Sequence, residues 1–249
     1  VLITAGGSGI GHAMASAFEA EGAEVWVTDI DGAALASCPN TWQRSEIDAA
    51  DEASVADLFA RIAESWGGLD TLCANAGIAG PTAAVEDIDM EDWRRCVSVN
   101  LEGAFLGAKY AAPMMKRQKS GAIIITSSVS GIMANPHRAP HVAAKWGMIG
   151  LMKTLAMELG SYNVRANAIA PGPVNGPRMD RVLAAESIAK GIDAEVLRAS
   201  YASGTSMGTF VDASDIAGMA VFLASPRARH VSGQVIAVDG HTVNPDPKV

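Results

Sequence analysis

Apolar and polar positions follow two rhythms along the chain. Short apolar runs, several of them β-branched throughout, occupy residues 23–28, 69–74, 122–126, 164–169 and 234–238. Runs with no polar alternate face are what strands covered on both sides require. Between them, residues 11–21, 51–66, 91–116, 141–159 and 212–223 repeat their apolar positions at helical spacing. Strand and helix in alternation predict βαβ units, and so an α/β domain with a doubly wound parallel sheet. The opening Val1-Leu2-Ile3-Thr4 is expected to lie inside a first strand. Asp51 is placed to cap the helix carrying Val55-Ala56, and Gly67-Gly68 to end it. One stretch, about 176–210, has helical pieces and no strand. An insertion of that length after the Pro171-Gly172-Pro173 turn is expected to be a lid over a binding site. No repeat or linker divides the chain, so residues 1–249 are expected to form one domain.

Composition narrows the function. Apolar residues make up 49% and charged residues 18%, enough for a substantial core and too little charge for a disordered chain. The net charge of -8 with no basic cluster argues against a nucleic-acid partner. No apolar run approaches the ~20 residues that cross a bilayer, so no membrane partner is expected. No basic-then-apolar leader opens the chain, and the three cysteines Cys38, Cys73 and Cys96 are widely spaced. A reduced, cytoplasmic setting is therefore expected, without a disulfide framework or structural zinc. His12, His230 and His241 have no carboxylate or thiol companions at ligand spacing, and no catalytic metal is expected.

The first chemical signal is the turn Thr4-Ala5-Gly6-Gly7-Ser8-Gly9-Ile10-Gly11, between a strand and a helix. Glycines there let the backbone approach a pyrophosphate, whose charge then sits at the helix N-terminus. Asp29 ends the next strand, 18 residues after Gly11. A carboxylate at that point accepts hydrogen bonds from adenosine ribose hydroxyls and repels a 2′-phosphate, which favours NAD over NADP.

The whole chain resembles the short-chain dehydrogenase/reductase family. The glycine turn is similar to its TGxxxGxG motif, with Ala5 where the first glycine usually stands. Ala74-Asn75-Ala76-Gly77 resembles the NNAG motif. Asn100, Ser128 and Lys145 match the catalytic asparagine, serine and lysine, and Pro171-Gly172 matches the PG motif. Ser232-Gly233 and Val238-Asp239-Gly240 resemble the C-terminal signature. The resemblance implies a Rossmann-type sheet of about seven strands and hydride transfer between NAD and a small secondary alcohol or ketone. It implies a cofactor site drawn from Gly6, Ser8, Gly9, Ile10, Asp29, Ile30, Asp48, Ala49, Asn75, Ala76, Gly77, Lys145, Pro171, Gly172 and Val174. Asp48 is also placed to cap a helix, and Gly176 stands where the family often has threonine. A homo-oligomer, dimer or tetramer, is implied through the helices at 91–116 and 141–159.

The family's catalytic tyrosine is absent. Four residues before Lys145 and 13 after Ser128, its position holds His141, and Tyr110 and Tyr162 lie elsewhere in the pattern. In the family the tyrosine exchanges a proton with the substrate oxygen, the serine holds that oxygen, and the lysine lowers the tyrosine pKa. An imidazole is shorter but has a reference pKa of ~6.5, within range of acid–base work. A Lys145 cation beside it disfavours the protonated ring. Three readings stay open: His141 acts through a water or a shifted substrate, the chain is an impaired form of an ordinary dehydrogenase, or it is an NAD-binding sensor or assembly protein. Around the substrate mouth, His137, Arg138 and Arg178 hint at a polar or anionic substrate, against solvated loop charges as the plainer reading. Met179, Met207 and Phe210 are candidates to close over it, and Trp146 is expected in the core or an interface.

Overall fold

The computed structural model describes residues 1–246. Its centre is one parallel sheet of seven strands. In chain order they are β1 (Leu2–Thr4), β2 (Trp26–Asp29), β3 (Gln43–Glu46), β4 (Thr71–Ala74), β5 (Gly121–Thr126), β6 (Val164–Pro171) and β7 (Val235–Val238). The spatial order is β3-β2-β1-β4-β5-β6-β7. The chain winds outward from β1 to β3, then crosses back and winds the other way from β4. That reversal leaves a crevice at the carboxyl ends of β1 and β4, where open α/β sheets bind ligands.

The continuous apolar runs are explained by burial on both faces. Leu2, Ile123 and Ile125 point into one core with Leu58 and Ile62 of α3 (Glu52–Trp66), Ala108 and Met115 of a long helix, and Met148 of another. Ile3, Ile124 and Ile169 point the other way, against Met14 and Phe18 of α1 (Gly9–Ala20) and Ile216 and Ala220 of the last helix. The anticipated punctuation also holds. Asp51 accepts a hydrogen bond from Ser54 N at 3.0 Å, and Gly67 closes α3 at φ 70°.

Two elements lie outside the pattern. The helix α2 (Gly32–Ala36) is too short to show a helical period, and the edge strand β3 has no apolar run. In β3 only Ser45 is buried, and its hydroxyl accepts from Trp26 Nε1 at 2.9 Å. Pairing with β2 makes it a strand, because an edge strand needs neither two apolar faces nor two partners.

The helix anticipated at 91–116 is two helices, α4 (Met90–Val97) and α5 (Gly103–Gln118), joined without a break by one π-helical turn, Ser98–Glu102. Asn100 lies in that turn, and its Nδ2 donates at 2.8 Å to Cys96 O, the carbonyl one α-turn back. A side chain that takes this carbonyl from the backbone ladder favours the wider turn. After β5 comes α6 (Ala139–Leu159), which Pro140 starts early. The stretch after β6 folds as α7 (Pro177–Lys190) and α8 (Ala194–Ser203), followed by α9 (Ala213–Ala224) with an Asp212–Asp215 capping box. Trp146 is 51% exposed, so it is not a core residue. No helix among the described residues is long and apolar enough to cross a membrane.

Candidate active site

The turn after β1 is built for close approach. Ala5 takes φ 51°, a conformation that glycine accepts more easily than alanine. A Cβ on Gly11 would collide with the Ala5 carbonyl, and one on Gly6 would sit 2.6 Å from Val27. Ser8 precedes α1 with no side-chain cap, and α1 has no acidic residue in its first turn. The helix therefore presents uncapped N–H groups and the positive end of its dipole to the crevice. Asn75 supports the turn from below. Its Nδ2 donates to Thr4 O at 3.2 Å, and Thr4 Oγ1 accepts from the amides of Asn75 and Ala76, each at 2.9 Å.

Asp29 stands beside the turn. Its carboxylate accepts from Gly7 N at 3.0 Å and from Asp31 N at 3.1 Å, which fixes its direction. Ile30 is 65% exposed next to it, and Asp48 and Ala49 face the same opening. Asp48 does not cap α3; its Oδ1 accepts from Ala50 N at 2.9 Å and shapes the turn before Asp51. An uncapped helix start, a glycine turn without room for Cβ atoms and an anchored carboxylate fit an adenine dinucleotide.

The other end of the crevice carries Ser128, His141 and Lys145. Ser128 follows β5 in an extended conformation and accepts from Ser130 N at 3.1 Å, which leaves its hydroxyl proton free to donate. Lys145 is buried, and its Nζ donates to Thr126 O at 2.8 Å. Burial, with the Arg178 cation, brings its pKa down to about 7. Asn100 is fully buried and set back from the wall, with its Oδ1 unpartnered. A Cβ on Gly77 would lie 2.6 Å from that oxygen and 3.4 Å from Lys145 Nζ, so this glycine keeps a gap open between them.

His141 is buried, with Nδ1 at 3.1 Å from Ile78 O. A carbonyl can only accept, so Nδ1 carries the hydrogen and Nε2 is left as an acceptor. Burial first, then the Lys145, Arg138 and Arg178 cations, hold its pKa down at about 2. The ring is thus neutral across the ordinary pH range, a larger effect than Lys145 alone implies.

Of the residues anticipated from the sequence, Ser8, Gly9, Ile10, Asp29, Ile30, Asp48, Ala49, Asn75, Ala76, Gly77, Ser128, His141, Lys145, Pro171, Gly172 and Val174 line this one crevice. Gly6 and Asn100 stand behind it. Arg138, Arg178 and Met179 line it as well, whereas Met207 is 73% exposed and Phe210 packs under Arg198. The sequence reading missed Arg181, Glu186 and Tyr201, which line it from α7 and α8. The spacing of Arg178, Val182 and Glu186, four residues apart, was the available signal that one helix face turns inward. Tyr201 does not stand in for a catalytic phenol. Its hydroxyl donates to Glu186 Oε1 at 2.7 Å, and burial and that carboxylate push its pKa up. No cluster of three metal-ligating side chains occurs among the described residues.

Comparison with known proteins gives matches across the chain. Residues 4–241 match the family model described as enoyl-(acyl carrier protein) reductase. The chain is 33% identical to the 3-oxoacyl-(acyl-carrier-protein) reductase FabG of Thermotoga maritima, covering 97% of this chain and 96% of that protein. It is 37% identical to (+)-borneol dehydrogenase 1 of Salvia officinalis, covering 98% and 94%. The crystal structure of NAD+-bound xylitol dehydrogenase superposes with a TM-score of 0.93 at 26% identity, over 96% of each chain.

Proposed function

The chain belongs to the short-chain dehydrogenase/reductase family, and from that premise we propose that it transfers hydride between NAD and a secondary alcohol or its ketone. The observation that carries this reading is one continuous crevice with the glycine turn and Asp29 at one end and Ser128, His141 and Lys145 at the other. Asp29 favours NAD, since a 2′-phosphate would meet its carboxylate. Gly9, Ile10 and the α1 N-terminus would hold the pyrophosphate, and Val174 after Pro171-Gly172 the carboxamide. When bound, the dinucleotide supplies the hydride acceptor or donor.

The chain's own residues handle the proton. In oxidation, Ser128 donates a hydrogen bond to the substrate oxygen, and His141 Nε2 accepts one from its hydroxyl. The hydroxyl proton leaves as the carbon gives up hydride. A ring with so low a proton affinity does not keep it, so it passes toward Lys145 and the gap beside Asn100. The helical segment 176–210 forms the wall opposite His141 and acts as the lid. The free, buried cysteines suit a reducing, cytoplasmic setting. Exposed Phe105 on α5 and Trp146 and Met157 on α6 suit pairing with a second copy.

The suppressed basicity of His141 favours a second reading, in which the dinucleotide binds but turnover is weak or absent. Assaying the protein beside His141→Tyr separates the two. NAD binding is followed by fluorescence, and turnover of an alcohol panel by absorbance of the reduced cofactor. A tyrosine that restores a positioned acid raises turnover by about 10²–10⁴ if His141 is an impairment. Equal or lower turnover in the variant supports a working histidine. NAD binding without turnover in both supports a sensor or assembly role, and failure to bind NAD overturns the whole reading.

A further inference from the structure

The crevice is electrically polarised. Its dinucleotide end carries Asp29 and Asp48, and its reaction end carries Arg95, Arg138, Arg178 and Arg181 with Lys145, against Glu186 alone. In a chain of net charge -8 this gathering of cations is local.

The single carboxylate does not neutralise it. Glu186 Oε1 accepts from Tyr201 at 2.7 Å, and Oε2 lies 3.6 Å from Lys190. Arg138 reaches Oε1 only at 3.9 Å, donates from Nη2 to Ala79 O at 3.2 Å, and has a buried Nε without a partner. Among the described residues, Arg178 and Arg181 make no hydrogen bond or ion pair. Arg178 is open to the crevice but enclosed by protein, and Arg138 and Arg181 beside it disfavour its charge. Arginine does not lose its proton under such pressure, so the repulsion persists until an anion enters.

We propose that Arg138, Arg178 and Arg181 form a carboxylate-binding site beside His141, and that the substrate is a hydroxycarboxylate or the corresponding oxocarboxylate. The planar guanidinium fork matches a carboxylate in two parallel hydrogen bonds. Seated there, the carboxylate anchors the far end of the substrate while Ser128 and His141 meet its oxygen. This substrate class rests on the dehydrogenase reading; the anion site itself does not.

The test uses the intact protein, with and without saturating NAD. The probes are lactate, hydroxyvalerate and hydroxyhexanoate, each beside its methyl ester, and binding is read by melting temperature and titration calorimetry. At least one carboxylate is expected to bind, its ester not. In Arg178→Gln/Arg181→Gln that binding weakens by roughly tenfold or more, the worth of a charged hydrogen bond. NAD affinity stays unchanged. Esters that bind as well as acids, a variant that binds acids normally, or no binding by any acid would each overturn the proposal while leaving NAD binding intact. Loss of NAD affinity in the variant overturns it too, assigning the arginines to the dinucleotide's phosphates. Carboxylate binding without NAD binding would instead sink the dehydrogenase reading and keep the anion site.

Discussion

Acidification is expected to destabilise the protein through His141, and the size of the effect follows from its surroundings. Burial and the Lys145, Arg138 and Arg178 cations place the folded pKa at about 2, against 6.5 for a free imidazole. The unfolded chain therefore binds one more proton than the folded chain as pH falls from 6.5 toward 2. Stability falls in that window and is unaffected by this group above it. Between about pH 7.5 and about pH 5 the imidazole contributes a loss of roughly 2 kcal/mol. For a chain of this size that is a melting-point drop of roughly 4–8 °C. Other groups titrate in the same range, so the measurement is a difference. His141→Asn keeps an amide N–H near the Nδ1 position for Ile78 O and has no proton to gain. Melting curves or urea titrations of both proteins at the two pH values isolate the contribution of the imidazole. Equal acid sensitivity in the two proteins, or an imidazole resonance at position 141 titrating near 6.5 in NMR, would refute the reasoning.

Three further outcomes follow. The rate of alcohol oxidation should rise with pH through about 7, where Lys145 becomes neutral and able to receive a proton; Lys145→Met should abolish that inflection as well as most of the rate. Asp29→Asn keeps one acceptor for the turn but removes the charge, and should shift the ratio of NAD to NADP affinity toward NADP by roughly tenfold or more. Ala5→Gly relieves a left-handed alanine worth about 1–2 kcal/mol, offset by the greater freedom of unfolded glycine, for a net melting-point gain of roughly 1–4 °C.

The fold was legible where burial was complete. Leu2 and Ile3, or Ile124 and Ile125, serve opposite faces of one sheet, so every position in those strands had to be apolar. Strand β3 was invisible because its single buried side chain, Ser45, is polar and its structure comes from its neighbour. The π turn was invisible because its cause is one side-chain hydrogen bond, from Asn100 to a backbone carbonyl. The site divides in the same way. The dinucleotide end depends on backbone turns with strict residue requirements, and it can be read from glycine spacing and one carboxylate. The reaction end also depends on residues of α7 and α8 lining the same crevice as Arg138 and His141. The inward face of Arg178 and Glu186 has a signal in its four-residue spacing, but nothing local ties Glu186 to Tyr201 or to Arg138, so their meeting emerges only in three dimensions.

The cations that silence His141 and the anion they invite are parts of one electrostatic arrangement. Two of the three charges that lower the ring's proton affinity belong to Arg138 and Arg178. A carboxylate seated between them cancels much of their field, so it raises that affinity. Burial, the largest cause, remains and is deepened by the ligand, so the ring does not return to its free value. The direction is nevertheless definite: an anionic substrate makes His141 a better proton acceptor than a neutral alcohol of the same shape does. A tyrosine in the same place would feel the same rise in proton affinity but would lose its acceptor form, the phenolate, whereas the neutral imidazole is already the acceptor. Histidine at this position therefore suits a cationic mouth filled by its own substrate. On this account a carboxylate substrate should outpace its methyl ester in kcat as well as in KM, whereas an arginine cluster that only anchors the substrate would separate the two in KM alone.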